Sequence, residues 1–119
     1  MGFDRKLTVT KLNKDKWVVE KTFRYYVTET DFVEVPSGFV TDFASVPWGF
    51  HNIFPKDGTW TQAAVTHDYL YNQRKVHGRK RSQCDKIFLD AMKELGVSRW
   101  QRYSMYSAVR IGGWTYWNK

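Results

Sequence analysis

The chain has 119 residues, of which 42% are hydrophobic and 18% aromatic. This length suits one domain, here residues 1–119, and the composition supplies enough apolar surface for a core, which excludes a disordered chain. The 19 Lys and Arg against 12 Asp and Glu give a net charge of +7. Such a charge favours anionic partners, either nucleic acid or acidic lipid headgroups, without choosing between them.

Residues 1–46 form a β-rich half in which short apolar runs alternate with turn residues. The runs, rich in β-branched and aromatic residues, are LTVTKL, KWVVEKTFRYYVT, DFVEV and GFVTDF. Turn residues separate them at positions 13–15, 29–31 and 36–38. This pattern predicts an N-terminal antiparallel β region.

Residues 59–113 form a helical half with three predicted helices, which makes the fold class α+β. The first covers TWTQAAVTHDYLYNQRK, and the second, SQCDKIFLDAMKELG, starts at an S-x-x-D capping signature formed by Ser82 and Asp85. The short basic loop between them predicts that these two helices are an antiparallel pair.

The third predicted helix, SRWQRYSMYSAVR, opens at Ser98 and stops at Gly112 and Gly113. Aromatic residues recur along it at helical spacing, so we expect their rings to pack against the other two helices. These residues are Trp100, Tyr103 and Tyr106.

A single cysteine, Cys84, excludes an internal disulfide. The opening MGFDRKLTVT lacks the apolar stretch of a signal peptide or a membrane span. We therefore expect a protein of a reducing compartment that has no transmembrane segment and is not secreted by a signal peptide.

Two polar side chains fall on the apolar faces of the first two helices. His67 shares its face with Leu70 and Tyr71, and Asp85 shares its face with Phe88. At a rise of about 1.5 Å per residue, an antiparallel pair brings His67 and Asp85 to matching heights. The spacing predicts an imidazole–carboxylate hydrogen bond, in which Asp85 fixes the tautomer of His67 and His67 deprotonates water.

A cation site is the second prediction. Asp68 is turned about 100° around the helix from His67, so its carboxylate would point into a pocket beside the base. Ca²⁺ needs several oxygen ligands, and Asp42, which follows a predicted strand in FVTDFASVP, is the candidate for a second carboxylate.

Each of these residues also has a structural interpretation. An inward histidine is often a satisfied core residue, and an aspartate at the third position of a helix caps backbone donors. Asp42 would equally form an Asx-turn, and Asp68 would equally be solvated.

Three segments, GFVTDFASVP, AAVTHDYLY and CDKIFLDAM, together resemble a domain family of unassigned function that is widespread in tailed-phage genomes. The resemblance spans most of the chain and implies a phage protein, placed in the host cytoplasm or the virion. It implies no activity.

The helical half has a second resemblance. HDYLY at 67–71 and CD-x-x-F-x-x-x-M at 84–92 are similar to the paired helices of secreted calcium-dependent phospholipases, especially bacterial ones. This resemblance implies His67 as the base for water, Asp85 as the residue that orients it, and Asp68 and Asp42 as calcium ligands. The chain departs from that family by lacking the disulfides that tie the two helices and the glycine-rich calcium loop of the animal enzymes.

Three functions stay open on these grounds. The first is a phospholipase-like, calcium-dependent ester hydrolase whose basic loop, residues 74–81, brings the site to a phospholipid or another anionic surface. The second is a non-enzymatic phage accessory or virion protein that binds a phage or host protein, or nucleic acid, through a basic face. The third keeps the hydrolytic site but acts on cell-wall or peptide bonds.

Overall fold

A computed structural model describes residues 2–14, 16–43, 45 and 59–119. The chain divides into two compact units, Met1–Asp42 and Phe43–Lys119. The first unit holds antiparallel strands and the second holds helices, which confirms the predicted α+β class.

In the part of the first unit that the structure describes, there are six short strands. In chain order they are β1 (Gly2–Phe3), β2 (Val9–Lys11), β3 (Trp17–Val19), β4 (Phe23–Tyr26), β5 (Phe32–Val35) and β6 (Val40–Thr41). They form two antiparallel sheets with strand orders β1-β4-β5 and β2-β3-β6. The run KWVVEKTFRYYVT therefore supplies two strands, β3 and β4, which belong to different sheets.

Alternation of side chains explains the pairing of β4 with β5. Phe23 and Tyr25 are buried and lie opposite Val35 and Val33. The residues between them face outward, where the Arg24 guanidinium pairs with Glu34 at 2.9 Å. Apolar residues at every second position thus place one face of this sheet in the core of the first unit.

The described residues of the second unit form four helices: α1 (Thr61–Asn72), α2 (Arg81–Glu94), α3 (Arg99–Gly112) and α4 (Trp114–Trp117). The helices α1 and α2 run in opposite directions. The later residue of α1, Tyr71, contacts the earlier residue of α2, Asp85, while the earlier residue of α1, His67, contacts the later residue of α2, Phe88. The predicted antiparallel pair is confirmed.

The start of α2 differs from the capping prediction. The helix begins at Arg81, and the Lys80 backbone N–H donates to Gln83 Oε1 at 2.8 Å. Ser82 lies inside the helix, so the predicted S-x-x-D signature is wrong. Because Asp85 does not cap the start of α2, its carboxylate accepts hydrogen bonds from side chains of the surrounding helices.

Two of the three large rings of α3 do not face the other helices. Trp100 is 63% exposed and Tyr103 is 47% exposed, which corrects the prediction for these two rings, while Tyr106 is half-buried. The buried face is instead formed by Met105, Ala108 and Val109. These residues lie at i, i+3 and i+4, and the small Ala108 allows α3 to approach its neighbours closely.

The C-terminal tail packs on α1. Gly113 keeps a right-handed conformation, so the predicted stop is followed by the short helix α4. A Cβ at Gly113 would lie 2.5 Å from the Val109 carbonyl oxygen and 2.7 Å from the Tyr71 hydroxyl, so the position requires glycine for space. The Trp117 ring contacts Tyr71 edge-on at 5.1 Å, and the Arg74 guanidinium donates to the Trp117 carbonyl at 2.7 Å.

None of the helices in the described ranges is long and apolar enough to cross a membrane.

Candidate functional site

His67 and Asp85 meet between α1 and α2. His67 Nε2 lies 2.7 Å from Asp85 Oδ1, and both side chains are fully buried. The predicted imidazole–carboxylate pair is therefore present, and it lies wholly within the helical unit. The match of heights that the 1.5 Å rise predicts is what brings the two side chains into contact.

Asp85 is the centre of a larger network. Oδ1 also accepts a hydrogen bond from the Tyr71 hydroxyl at 2.6 Å. Oδ2 accepts from Arg110 at 2.8 Å and, more weakly, from Arg81 at 3.4 Å. Four donors from three helices thus converge on one buried carboxylate, which satisfies both of its oxygens.

This network determines the charge of the carboxylate. Burial by itself raises the pKa of Asp85, but the hydrogen bonds from His67, Tyr71 and Arg110 outweigh burial and hold the pKa below its ordinary value of 3.8. The same contact raises the pKa of the Arg110 guanidinium. Burial and the negative charge of Asp85 raise the pKa of the Tyr71 hydroxyl well above its ordinary value. At neutral pH, Asp85 is therefore an anion that only accepts hydrogen bonds, and Tyr71 is a neutral donor.

The anionic state of Asp85 fixes the tautomer of neutral His67. Because Asp85 only accepts, the proton of the ring must be on Nε2, where it is donated to Oδ1. Nδ1 is then the unprotonated nitrogen. It lies 3.0 Å from the hydroxyl oxygen of Ser45, so Ser45 Oγ–H donates to Nδ1. The ring is thus oriented as a base towards a hydroxyl group.

Aromatic residues hold the imidazole in place. The centroid of the His67 ring lies 4.3 Å from that of Tyr71 and 4.7 Å from that of Phe88. Tyr71 follows His67 by one helical turn on α1, so a single residue both stacks on the base and donates to its partner Asp85. Within the described residues, every buried side-chain nitrogen and oxygen has a hydrogen-bond partner.

The two predicted cation ligands lie in different units. Asp42 is exposed and follows β6, as predicted, in the first unit. Asp68 is 3% exposed in the second unit, and its Oδ1 accepts a hydrogen bond from the Ser45 backbone N–H at 3.1 Å. Among the residues that the structure describes, no group of three or more His, Cys, Asp and Glu side chains could hold a metal ion.

Other predicted features lie around the pair. Burial and the charge of Asp85 raise the pKa of the Cys84 thiol to about 12, so this cysteine is not a thiolate nucleophile at neutral pH. In the basic run of residues 74–81, Arg74 and Arg81 donate to backbone carbonyls of Trp117 and Val109. These two cations stabilise the helical unit, while Lys75 and Lys80 are exposed.

Sequence patterns missed part of the network. Ser45 carries no signal of its own, because it precedes α1 by a long separation and belongs to no periodic element. Arg110 reaches Asp85 across 25 residues, which no spacing rule connects. Tyr71 could have been found, since it lies one turn after His67 on the face that the spacing assigned to the core.

The lowered pKa of Asp85 predicts acid instability. Because the folded state holds this pKa below the unfolded value, the unfolded state binds more protons at low pH. The stability that Asp85 contributes is complete above about pH 5 and is lost as pH falls below 3.8 and through the folded pKa. Urea unfolding between pH 6 and pH 3 should show a steeper loss for the native chain than for Asp85→Asn. Equal slopes would contradict the prediction, and Asp90→Asn on the exposed side of α2 is the control.

A protein-family model described as "Protein of unknown function (DUF1353)" matches residues 17–109 of the chain. This range includes both residues of the buried pair and Ser45. No curated protein and no solved structure matches the chain.

Proposed function

We propose that this chain, which belongs to the DUF1353 family of proteins of unknown function, is a hydrolase of esters in which His67 is the general base. The observation that carries the proposal is the orientation of the imidazole. Its Nε2 is held by Asp85 at 2.7 Å, and its Nδ1 faces a hydroxyl group at 3.0 Å. A base fixed in this way takes a proton from an attacking oxygen while the neighbouring carboxylate stabilises the imidazolium that forms.

The composition of the network around Asp85 supports the proposal. Removing a carboxylate, two guanidiniums, a phenol and an imidazole from water carries a large desolvation free energy. An apolar cluster of similar volume would often be as stable. Two arginines already neutralise Oδ2, so a histidine is not needed to satisfy the charge of Asp85. Groups with perturbed pKa values often cluster at functional sites, which favours a hydrolytic role for His67 and Asp85.

Each residue has a defined part in the proposed reaction. His67 Nδ1 accepts the proton of the water that is consumed, and the oxygen of that water adds to the carbonyl carbon of the ester. Asp85 is a positioning residue that stabilises the imidazolium. The proton then passes from Nδ1 to the departing alkoxide, so that an acid and an alcohol are released. A phospholipid is the first substrate class to test, because the helix pair resembles calcium-dependent phospholipases and the chain carries a charge of +7.

Calcium binding by Asp68 and Asp42 remains a separate proposal. Calcium takes six to eight oxygen ligands, and it would polarise the ester carbonyl if it bound beside the base. The described helical unit offers the Asp68 carboxylate, one oxygen of which already accepts the Ser45 N–H. That donor set falls short of a calcium site by itself. Calorimetric titration of the native chain and Asp68→Ala with calcium chloride tests the proposal, and no heat in either would refute it.

The test of the proposed function is a release assay with two ester substrates. The native chain should liberate p-nitrophenolate from a short p-nitrophenyl ester and fatty acid from phosphatidylglycerol vesicles. His67→Gln should lower kcat by about 10²–10⁴-fold, because general-base catalysis contributes that much.

His77→Gln is the matched control, because His77 bonds to the Leu70 carbonyl and not to Asp85. It should keep the native rate. A native chain that releases no product from either ester would refute the proposed function. Equal, measurable rates for His67→Gln and the native chain would show instead that the histidine is structural and would refute its part as the base.

A further inference from the structure

We propose that Ser45 is the nucleophile of this site, so that hydrolysis passes through an ester between Ser45 Oγ and the acyl group of the substrate. The inference rests on the proposed function, since it uses His67 as the base. It adds a covalent step and a residue to which neither the sequence patterns nor the resemblance to phospholipases assigns a role.

The first observation is the unbroken line of hydrogen bonds from Ser45 to Asp85. Ser45 Oγ lies 3.0 Å from His67 Nδ1, and His67 Nε2 lies 2.7 Å from Asp85 Oδ1. All three residues are at most 1% exposed. With Asp85 anionic and the imidazole neutral, the imidazole donates Nε2–H to the carboxylate and accepts the hydroxyl proton of the serine at Nδ1. A nucleophile bonded to a base that a third group orients is the arrangement by which hydroxyl groups are activated.

The second observation is that Ser45 is fixed at two points. Its side chain donates to the base, while its backbone N–H donates to Asp68 Oδ1 at 3.1 Å. Asp68 and His67 are neighbours on α1, so one turn of this helix binds both the backbone N–H and the hydroxyl group of Ser45. A group held in this way keeps its oxygen in reach of the reacting carbon without a search over rotamers.

The third observation is the strain just before Ser45. Phe43 has a φ of 60°, in the left-handed region that bulky residues rarely adopt. Its ring contacts Trp60 at 5.6 Å, which ties this conformation to the start of the helical region. Backbone strain of this kind persists where the surrounding structure imposes it, and it is common at sites that must present a side chain.

The two proposed half-reactions are balanced. In the first, the Ser45 O–H proton moves to His67 Nδ1, Oγ bonds to the acyl carbon, and the bond from that carbon to the leaving oxygen breaks as this oxygen takes the proton. In the second, Nδ1 takes a proton from water and the hydroxyl bonds to the acyl carbon. The bond to Oγ then breaks and Oγ recovers its proton. The sum is ester plus water to acid plus alcohol, with no other reactant.

The test uses a probe that reports on the nucleophile without requiring turnover. Because Ser45 is only 1% exposed, the probe must be small, and we choose a short alkyl fluorophosphonate. A nucleophilic serine displaces fluoride from its phosphorus and remains covalently labelled. Native chain, Ser45→Ala and His67→Gln are each incubated with the probe, digested and mapped by mass spectrometry. Ser107→Ala, which changes an exposed serine of α3, is the control.

We expect the label on Ser45 in the native chain and in Ser107→Ala, and its loss in the other two variants. Hydrolysis of p-nitrophenyl acetate, followed in parallel, should fall by about 10⁶-fold in Ser45→Ala, the size of the loss when a triad loses its nucleophilic serine. Hydrolysis by the native chain without any label on Ser45, retained in Ser45→Ala, would overturn the inference and leave the proposed function standing. A His67-dependent label on Ser45 without hydrolysis would support the nucleophile and refute the proposed function. If the native chain shows neither label nor turnover, both are refuted.

Discussion

Replacing Asp85 with alanine should destabilise the helical unit by about 3–5 kcal/mol, the cost of removing one partner of a buried charged pair. The substitution leaves Tyr71, His67 and Arg110 without their common acceptor inside the packed unit. The buried donors of Tyr71 and His67 cannot regain water without opening the contacts between α1 and α2. A loss of this size is a large part of the stability of a small protein.

Urea unfolding followed by circular dichroism measures the effect. Asp90→Ala is the matched control on the same helix, because Asp90 forms an exposed pair with Lys86 at 2.7 Å, and such pairs contribute about 0–1 kcal/mol. A midpoint for Asp85→Ala that stays within the range of Asp90→Ala would show that the four donors do not depend on the carboxylate.

Replacing Asp85 with asparagine should leave the shape of the site and lower hydrolysis by about 10⁴-fold, as loss of the orienting carboxylate does in serine hydrolases. The two guanidiniums at Oδ2 only donate, so they require the amide oxygen of the new residue. The amide NH₂ must then face His67 Nε2 and Tyr71. His67 would adopt the opposite tautomer, with its proton on Nδ1, and could no longer accept a proton from Ser45 or water.

The measurement is kcat for a p-nitrophenyl ester, with circular dichroism to verify that the variant folds. Asp90→Asn removes a carboxylate from the exposed side of α2 and should retain the native rate. Turnover by folded Asp85→Asn within a few-fold of the native chain would mean that Asp85 does not set the tautomer of the proposed base.

Periodicity predicted the helical pair because apolar residues recur at helical spacing, with His67 and Asp85 as polar exceptions beside Leu70, Tyr71 and Phe88. Those two exceptions located the network, and the helical rise predicted their contact. The α+β class followed from a second clear signal, the change from alternating strand residues to helical spacing after residue 46.

Contacts between segments that are far apart in the chain could not be predicted in this way. Ser45 and Arg110 reach the site from outside the helical pair, and their positions depend on packing that no local pattern describes. Large rings also misled the prediction for α3. Aromatic residues at helical spacing normally face a core, but the residues of α3 that are buried are Met105, Ala108 and Val109.

The contact of Trp117 with Tyr71 gives the last turn of the chain a remote influence on the imidazole. The Tyr71 ring contacts both the Trp117 ring and the His67 ring, and its hydroxyl donates to Asp85. A substitution in α4 would therefore be transmitted inward through the phenol before it affected the carboxylate. Variation in the tail would thus reach the surroundings of the imidazole through Tyr71, with no residue of the buried pair altered.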